Sequence, residues 1–349
     1  MKTIAVAMIV RDEAECIRPC LESIRDADEI VIIDTGSLDN TMEICKEYTS
    51  NLYKYIGCND EDGRLADFSD ARNYSLSKCT ADYILIIDAD EVLKDSIKGI
   101  RHVLNSGTMG QRYDDGSLKY FGMSMIVKTK TEELHSLRIF RNDPAIKYIY
   151  PFHNQIAYNG ITEIMRFRAY ESKFVIESGY SPAHLKDPDR TLRMIERHLS
   201  KEPEDARSLY YLGREYLSRR IRSGETKEAE EWLNKATEAF EKMDRSAFYQ
   251  PWTNEYADGL FILANCYLDK LGITKDETFW YPACACAVKS VLILPTFKAP
   301  MQLLEQLMMI TPAGAPSPHG VRFWGKNAKE ATNKDVAFMR EVQSIFKKK

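Results

Sequence analysis

ADYILIIDADE, residues 81–91, decides the fold. The unbroken apolar run from Tyr83 to Ile87 suits a strand of a parallel sheet covered on both faces, and it delivers Asp88 and Asp90 to the strand's end. The same rhythm extends upstream through TIAVAMIV (3–10), ECIRPCLESIR (15–25), EIVIID (29–34), NTMEICKEYT (40–49), NLYKYI (51–56) and SDARNYSLSK (69–78). Strand and helix in alternation build βαβ units. Such sheets bind ligands at the carboxyl ends of their strands, so Arg11 with Asp12, Asp34 and Asp88 are expected to converge on one edge.

Downstream, LKYFGMSMIVK (118–128), LRIFRN (137–142), IKYIYPFHNQI (146–156) and KFVIESGY (173–180) read as shorter strands that complete the first domain. After Pro182 and Pro188 the pattern turns helical, from RTLRMIERHLS (190–200) to PMQLLEQLMM (300–309). Two domains are expected, 1–182 and 183–349. Within the second, Leu212-Gly213-Arg214-Glu215-Tyr216 and Leu263-Ala264-Asn265-Cys266-Tyr267 are self-similar, a small residue letting two helices approach while the Tyr packs behind it. TPAGAPSPHG (311–320) reads as a loop before a last helix ending in Lys347, Lys348 and Lys349.

The 349 residues are 44% hydrophobic and 29% charged, ordinary for a globular protein. A formal net charge of −4 offers no global field for nucleic acid or an anionic membrane, so a nucleic-acid partner is disfavoured. No apolar run approaches the ~18 residues of a membrane span, and the N-terminal apolar stretch is too short for a signal peptide; a cytoplasmic protein is expected. The eight cysteines show neither CxxC pairs nor zinc spacing and read as reduced, buried thiols.

Three clusters carry chemistry. Asp88-Ala89-Asp90-Glu91 places two carboxylates where they can share a hard divalent cation that clamps a diphosphate. A solvated acidic turn would read the same, and position after a buried strand favours the metal. In Ile33-Asp34-Thr35-Gly36-Ser37-Leu38-Asp39, Ser37 and Asp39 are expected to be helix caps, while Asp34 faces the cleft as an acceptor for a base N–H or ribose hydroxyl. Arg72, in the first turn opened by Asp67-Phe68-Ser69-Asp70, opposes the helix dipole. A phosphate or carboxylate partner explains it better than helix stability does.

Together MIVRDEAECIRPCLESI, EIVIIDTGSLDNT, DFSDARNYSLSKCTADYILIIDADE and LRIFRN resemble the family 2 glycosyltransferases of the GT-A fold, in particular members with a tetratricopeptide-like C-terminal region. The resemblance covers residues 1 to about 155 well and implies an α/β, Rossmann-like, mainly parallel sheet domain followed by an all-α helical-repeat domain. It implies inverting transfer from a nucleotide diphosphate sugar, usually a UDP-sugar, with Mn²⁺ or Mg²⁺. On that pattern Val10, Arg11 and Glu13 line the nucleotide pocket, Asp34 contacts the base and Arg72 lies near base and diphosphate. Asp88 lies near the ribose or the metal, and Asp90 is the principal metal ligand. His153 is a further metal candidate, although Asn154 stands where related sequences carry Glu. Arg138 and Arg141 are candidates for holding the diphosphate. A general base is not located by the motifs; Glu91 and Glu133 are the candidates.

Competing classes are a nucleotide-binding helical scaffold without catalysis and a nucleotidyltransferase. The first is disfavoured by the intact charges at Asp34, Arg72, Asp88 and Asp90. The second usually needs a Gly-rich phosphate loop after the first strand, and IVRDEAEC has none. The acceptor stays open between protein or peptide and saccharide, because acceptor choice lies in loops and in the helical domain. A homo-oligomer formed through that domain is compatible with the same sequence.

Overall fold

A computed structural model describes residues 1–179, 187–246 and 253–309; the loop 311–320 and the final helix expected after it lie outside the described residues. The chain divides into two compact units, Met1–Met194 and Ile195–Lys349. The first unit therefore runs past the expected 182/183 boundary and takes in the start of RTLRMIERHLS.

Its centre is an eight-stranded sheet in the order β3-β2-β1-β4-β7-β6-β10-β5. The strands are β1 Ile4–Val10, β2 Glu29–Asp34, β3 Leu52–Lys54, β4 Tyr83–Ile86, β5 Glu91–Leu93, β6 Gly122–Lys128, β7 Glu133–Arg141 and β10 Ala169–Ser178. β3, β2, β1 and β4 are mutually parallel, β7 and β5 run against their neighbours, and β6 pairs parallel with β10. A separate hairpin joins β8 Ile146–Ile149 to β9 Gln155–Tyr158. The apolar runs form the central strands because both faces are covered: Ile4, Val6, Met8, Ile32 and Leu85 enter one core, and Ala5, Ala7, Val31, Ile33 and Ile84 the other.

Helix α1, Ile17–Ile24, buries Ile17, Cys20, Leu21 and Ile24, the i, i+3, i+4, i+7 stripe of a helix lying on a sheet. Helix α2 is short, Thr41–Cys45. Helix α3, Phe68–Lys78, has few apolar residues to bury, and polar contacts hold it instead. Asp67 caps it by accepting from the Asp70 amide at 3.0 Å, and Tyr55 donates its hydroxyl to Asp70 at 2.8 Å. Asn73 takes the place of a neighbouring strand: its amide nitrogen donates to the Tyr148 carbonyl and its oxygen accepts from the Tyr148 amide, both at 2.8 Å. β8 is thereby hung on α3. Helix α4, Ile97–Asn105, is capped by Ser96 and buries Ile97, Ile100 and Leu104. The short α5 spans Thr162–Phe167, and α6, Arg190–Lys201, crosses from the first unit into the second.

The second unit is helical, with hairpins formed by Ala206–Ser223 and Lys227–Ser246, then by Thr253–Thr274 and Trp280–Ile293, followed by Lys298–Met309. The small residues of the internal repeat sit at helix crossings. A Cβ on Gly213 would lie 2.5 Å from the Phe240 ring, and buried Ala264 packs with Ala287, Val288, Val291 and Leu304. Tyr216 stacks on Trp232 with ring centroids 5.6 Å apart. All eight cysteines are unpaired thiols; Cys16 and Cys286 are half-buried and the others buried.

Gly213→Val is expected to force the first hairpin apart and to destabilise the helical unit by about 1–3 kcal/mol, the usual cost of overpacking. Thermal unfolding followed by circular dichroism would show it; an unchanged midpoint would mean that the hairpin does not close over Gly213.

Candidate active site

At the carboxyl edge of the sheet the chain turns sharply after β4. The Glu91 amide donates to the Asp88 carbonyl at 3.0 Å, closing a four-residue turn, and the Asp88 amide donates to Glu91 Oε2 at 2.9 Å. Glu91 is 3% exposed and takes a bidentate pair from Arg138, Nη2 to Oε1 at 2.7 Å and Nη1 to Oε2 at 3.0 Å. Its carboxyl is pushed up to about 7, first by burial and then by Asp88, with Arg138 pulling the other way. Glu91, expected as a candidate base, and Arg138, expected as a diphosphate contact, are thus paired with each other and shape the turn.

Asp88 and Asp90 are left half-buried on the open side of that turn. Arg72 reaches across from α3 and donates Nη2 to Asp88 Oδ1 at 2.8 Å, its guanidinium 5.3 Å from the Tyr148 ring centroid. Burial opposes the Arg72 charge, but Asp88, Tyr148 and Glu91 together hold the guanidinium above its ordinary value. Of the phosphate or carboxylate partner expected for this cation, the structure shows a carboxylate, Asp88. Asp90 is held by its backbone: its carbonyl accepts from the Gly179 amide at 2.7 Å, and a Cβ on Gly179 would stand 2.6 Å from that oxygen. Only glycine lets the chain after β10 come so close. No sequence signal singled out Gly179.

The loops after β1 and β2 are stapled together. The Asp12 amide donates to Ser37 Oγ at 3.1 Å, the Leu38 amide to Asp12 Oδ1 at 2.6 Å, the Glu13 amide to Thr41 Oγ1 at 2.8 Å and the Ala14 amide to Asp39 Oδ2 at 3.1 Å. The expected capping role is not what Ser37 and Asp39 perform: the N-cap of α2 is Asn40, with no side-chain bond, and the two side chains fix the neighbouring loop. Asp34, 5% exposed, accepts the Gly36 and Ser37 amides on Oδ1 at 3.2 and 2.7 Å, and neither bond uses Oδ2. Arg11 donates Nη1 to the Gly63 carbonyl at 2.8 Å, so it bridges to the loop before α3. Glu13 starts α1 through its carbonyl, while Oε2 takes the Cys16 thiol at 3.1 Å. Val10 ends β1 with its side chain in the core and its carbonyl accepting from the Thr35 hydroxyl.

Three further expectations are relocated. Arg141 pairs in register with Tyr83, at the end of β4 away from Asp88, and donates to the Met109 carbonyl; it lies on the opposite edge of the sheet. A slip of three residues along β7 separates it from Arg138, about 10 Å of strand. His153 is exposed in the β8–β9 turn with φ 43°, and among the described residues no group of three His, Cys, Asp or Glu side chains is placed to hold an ion. Glu133 begins β7 at the carboxyl edge, exposed, with its carboxylate 2.6 Å from Lys128 Nζ. Arg190, which sequence reading left in the helical domain, belongs to the first unit and lies over Phe68.

Residues 5–123 match the sequence profile described as glycosyl transferase family 2. A TPR repeat-containing protein of Synechococcus elongatus is 29% identical over 249 residues, covering 67% of this chain and 56% of that protein. The SPbeta prophage-derived glycosyltransferase SunS of Bacillus subtilis is 30% identical over 226 residues, covering 61% and 49%. The chain thus spans about half the length of the curated relatives it matches. Among solved structures, S. aureus TarS 1-349 in complex with UDP-GlcNAc aligns with 87% of this chain and 90% of its own at 12% identity and a TM-score of 0.38, too loose a likeness to argue from.

Glu91→Ala and Arg138→Ala should each destabilise the first unit by about 3 kcal/mol, since each strands a buried charge. The double variant should cost clearly less than the two together. Denaturant titrations of the three proteins give the coupling; strict additivity would show that the pair does not hold the turn.

Proposed function

We propose, from the match of residues 5–123 to the family 2 glycosyltransferase profile, that the first unit transfers a sugar from a nucleotide diphosphate sugar, a UDP-sugar first among those to test, to an acceptor with inversion at the anomeric carbon. The observation that carries this reading is the Asp88-Ala89-Asp90 turn, locked from below by Glu91 and Arg138 and open to the same sheet edge as Asp34. The similarity to SunS, named a glycosyltransferase, supports it.

The residues present suit a divalent ion. Carboxylate oxygens are the donors that Mn²⁺ and Mg²⁺ take, and Asp90 with Asp88 would hold such an ion against the donor diphosphate. Once bound, the ion supplies positive charge against the departing nucleoside diphosphate. The chain's own residues do the rest. Asp34 is positioned to accept from the base or ribose through Oδ2, and the stapled loops keep that carboxylate from following its ligand. Arg72 fixes Asp88 so that the charge of one carboxylate is already answered before the donor arrives.

An inverting displacement needs a group to take the acceptor proton. Of the two carboxylates considered, Glu133 is the exposed one at the correct edge of the sheet, and we assign it the role provisionally held for both. The helical unit, whose hairpins resemble those implied by the TPR-named relative, is proposed to bind the acceptor, protein or saccharide, on the extended surface that stacked hairpins present.

Asp90→Ala is expected to lower turnover by at least about a thousandfold with an unchanged unfolding midpoint, and excess chelator should do the same to the unaltered chain. Full activity in either case would remove the ion from the site. Donor turnover should release free nucleoside diphosphate; release of pyrophosphate on incubation with nucleotide sugars would identify a nucleotidyltransferase instead.

A further inference from the structure

Every arginine that the motifs nominated for the diphosphate is engaged elsewhere. Arg72 is committed to Asp88, Arg138 to Glu91 and Arg141 to the opposite edge, while Arg11 donates to the Gly63 carbonyl. With Asp88 answered by Arg72, a nucleoside diphosphate brought to this edge still meets Asp34, Asp90 and Glu13, more negative charge than a single divalent ion offsets. A cation from outside the motifs is called for.

Arg190, the first residue of α6, meets that need. Its guanidinium carbon lies 5.3 Å from the centroid of the Phe68 ring. Phe68 and Arg72 are four residues apart in α3 and so share a face, which puts Arg190 one helical turn from the group that holds Asp88. Arg190 also feels Glu13 and Arg11 of the loop after β1, as well as Asp187 and Arg193 of its own segment. It therefore stands between the β1 loop and α3, on the rim of the same edge.

Arg193 anchors the segment. It makes a bidentate pair with Asp187 at 3.0 and 2.6 Å, and its Nε lies 4.0 Å from Asp60 in the loop before α3. Burial lowers the basicity of Arg190, and the nearby Arg193 and Arg11 act in the same direction against Asp187 and Glu13. Asp187 and Glu13 stand among these guanidinium groups, so Arg190 sits in a mixed field in which a diphosphate would gain charge-assisted contacts.

We propose that Arg190 is a donor-binding residue that contacts the diphosphate of the nucleotide sugar, stacked on Phe68 and delivered by the segment that Arg193 pins to Asp60 and Asp187. The assignment rests on the donor reading given above. It makes α6 part of the transfer site, in keeping with the extent of the first unit, which ends at Met194.

The test compares UDP with uridine on the full chain, with Mn²⁺ present, by calorimetry for the first and NMR titration for the second. Arg190→Ala should weaken UDP about ten- to a hundredfold and leave uridine unchanged, and Arg190→Lys should recover part of the loss. The salt dependence of UDP binding should become shallower in Arg190→Ala. Arg193→Ala serves as the structural control, with a lowered unfolding midpoint and no selective loss for the diphosphate. Equal affinity of Arg190→Ala and the unaltered chain for UDP overturns the inference, as does an equal loss for UDP and uridine, which would mean that Arg190 only shapes the pocket. Failure of the unaltered chain to bind UDP, GDP, CDP or ADP sinks the donor reading itself, and this inference with it.

Discussion

The buried pair between Glu91 and Arg138 is the constraint on which the site depends. Two aspartates two residues apart repel each other and the polar backbone of a tight turn prefers water, so the Asp88-Ala89-Asp90 turn has no strong reason of its own to hold one shape. Glu91 supplies one by taking the Asp88 amide and two guanidinium N–H groups at once, with 4% of its side chain exposed. Buried ion pairs return little net stability for their desolvation, so what this one contributes is geometry. It ties the end of β4 to β7, two neighbouring antiparallel strands, and so makes the position of the aspartates a property of the sheet.

The same logic is repeated around the edge with different groups. Hydroxyl and carboxylate side chains of Ser37, Asp39 and Thr41 satisfy amides of the loop after β1, and Asp12 satisfies Leu38 in return. Loops that would otherwise need water for their backbone are satisfied by one another. Arg72 answers Asp88, and Gly179 answers the Asp90 carbonyl. Such an edge is organised before any ligand arrives, which is the condition under which fixed charges act most strongly on a developing one.

The parallel half of the sheet was legible because TIAVAMIV, EIVIID and DYILII have no polar alternation, a pattern that suits only strands covered on both faces. The edge at which Asp34 and Asp88 meet followed from strand direction alone. Arg141 was misplaced for the complementary reason: LRIFRN shows that two arginines lie on one strand, but not that the strand runs antiparallel, which sends its far end away from the site. The sequence shows Glu91 and Arg138 as charged groups near the edge, but not that they are buried against each other, which is a tertiary fact. Gly179 and Arg190 left no local signal at all. Their meaning depends on what lies across from them, Asp90 in one case and Phe68 in the other.

Where the first unit ends follows from the same contacts. Composition changes after Pro182, and the sequence alone places the boundary there; the contacts of Arg193 with Asp60 and of Arg190 with Phe68 keep the chain attached to the sheet edge as far as Met194. The two contacts differ in kind. A part-exposed ion pair adds little stability and mainly sets register, whereas a guanidinium on an aromatic face places a charge while keeping its edge available for hydrogen bonding. A helix that begins with such a residue, on the face of α3 that also carries Arg72, has its first turn assigned to the edge where Asp34, Asp88 and Asp90 stand and its later turns to the helical unit. Residues 190–194 of this helix thus belong to the unit that carries the carboxylates, and its later residues to the helical unit.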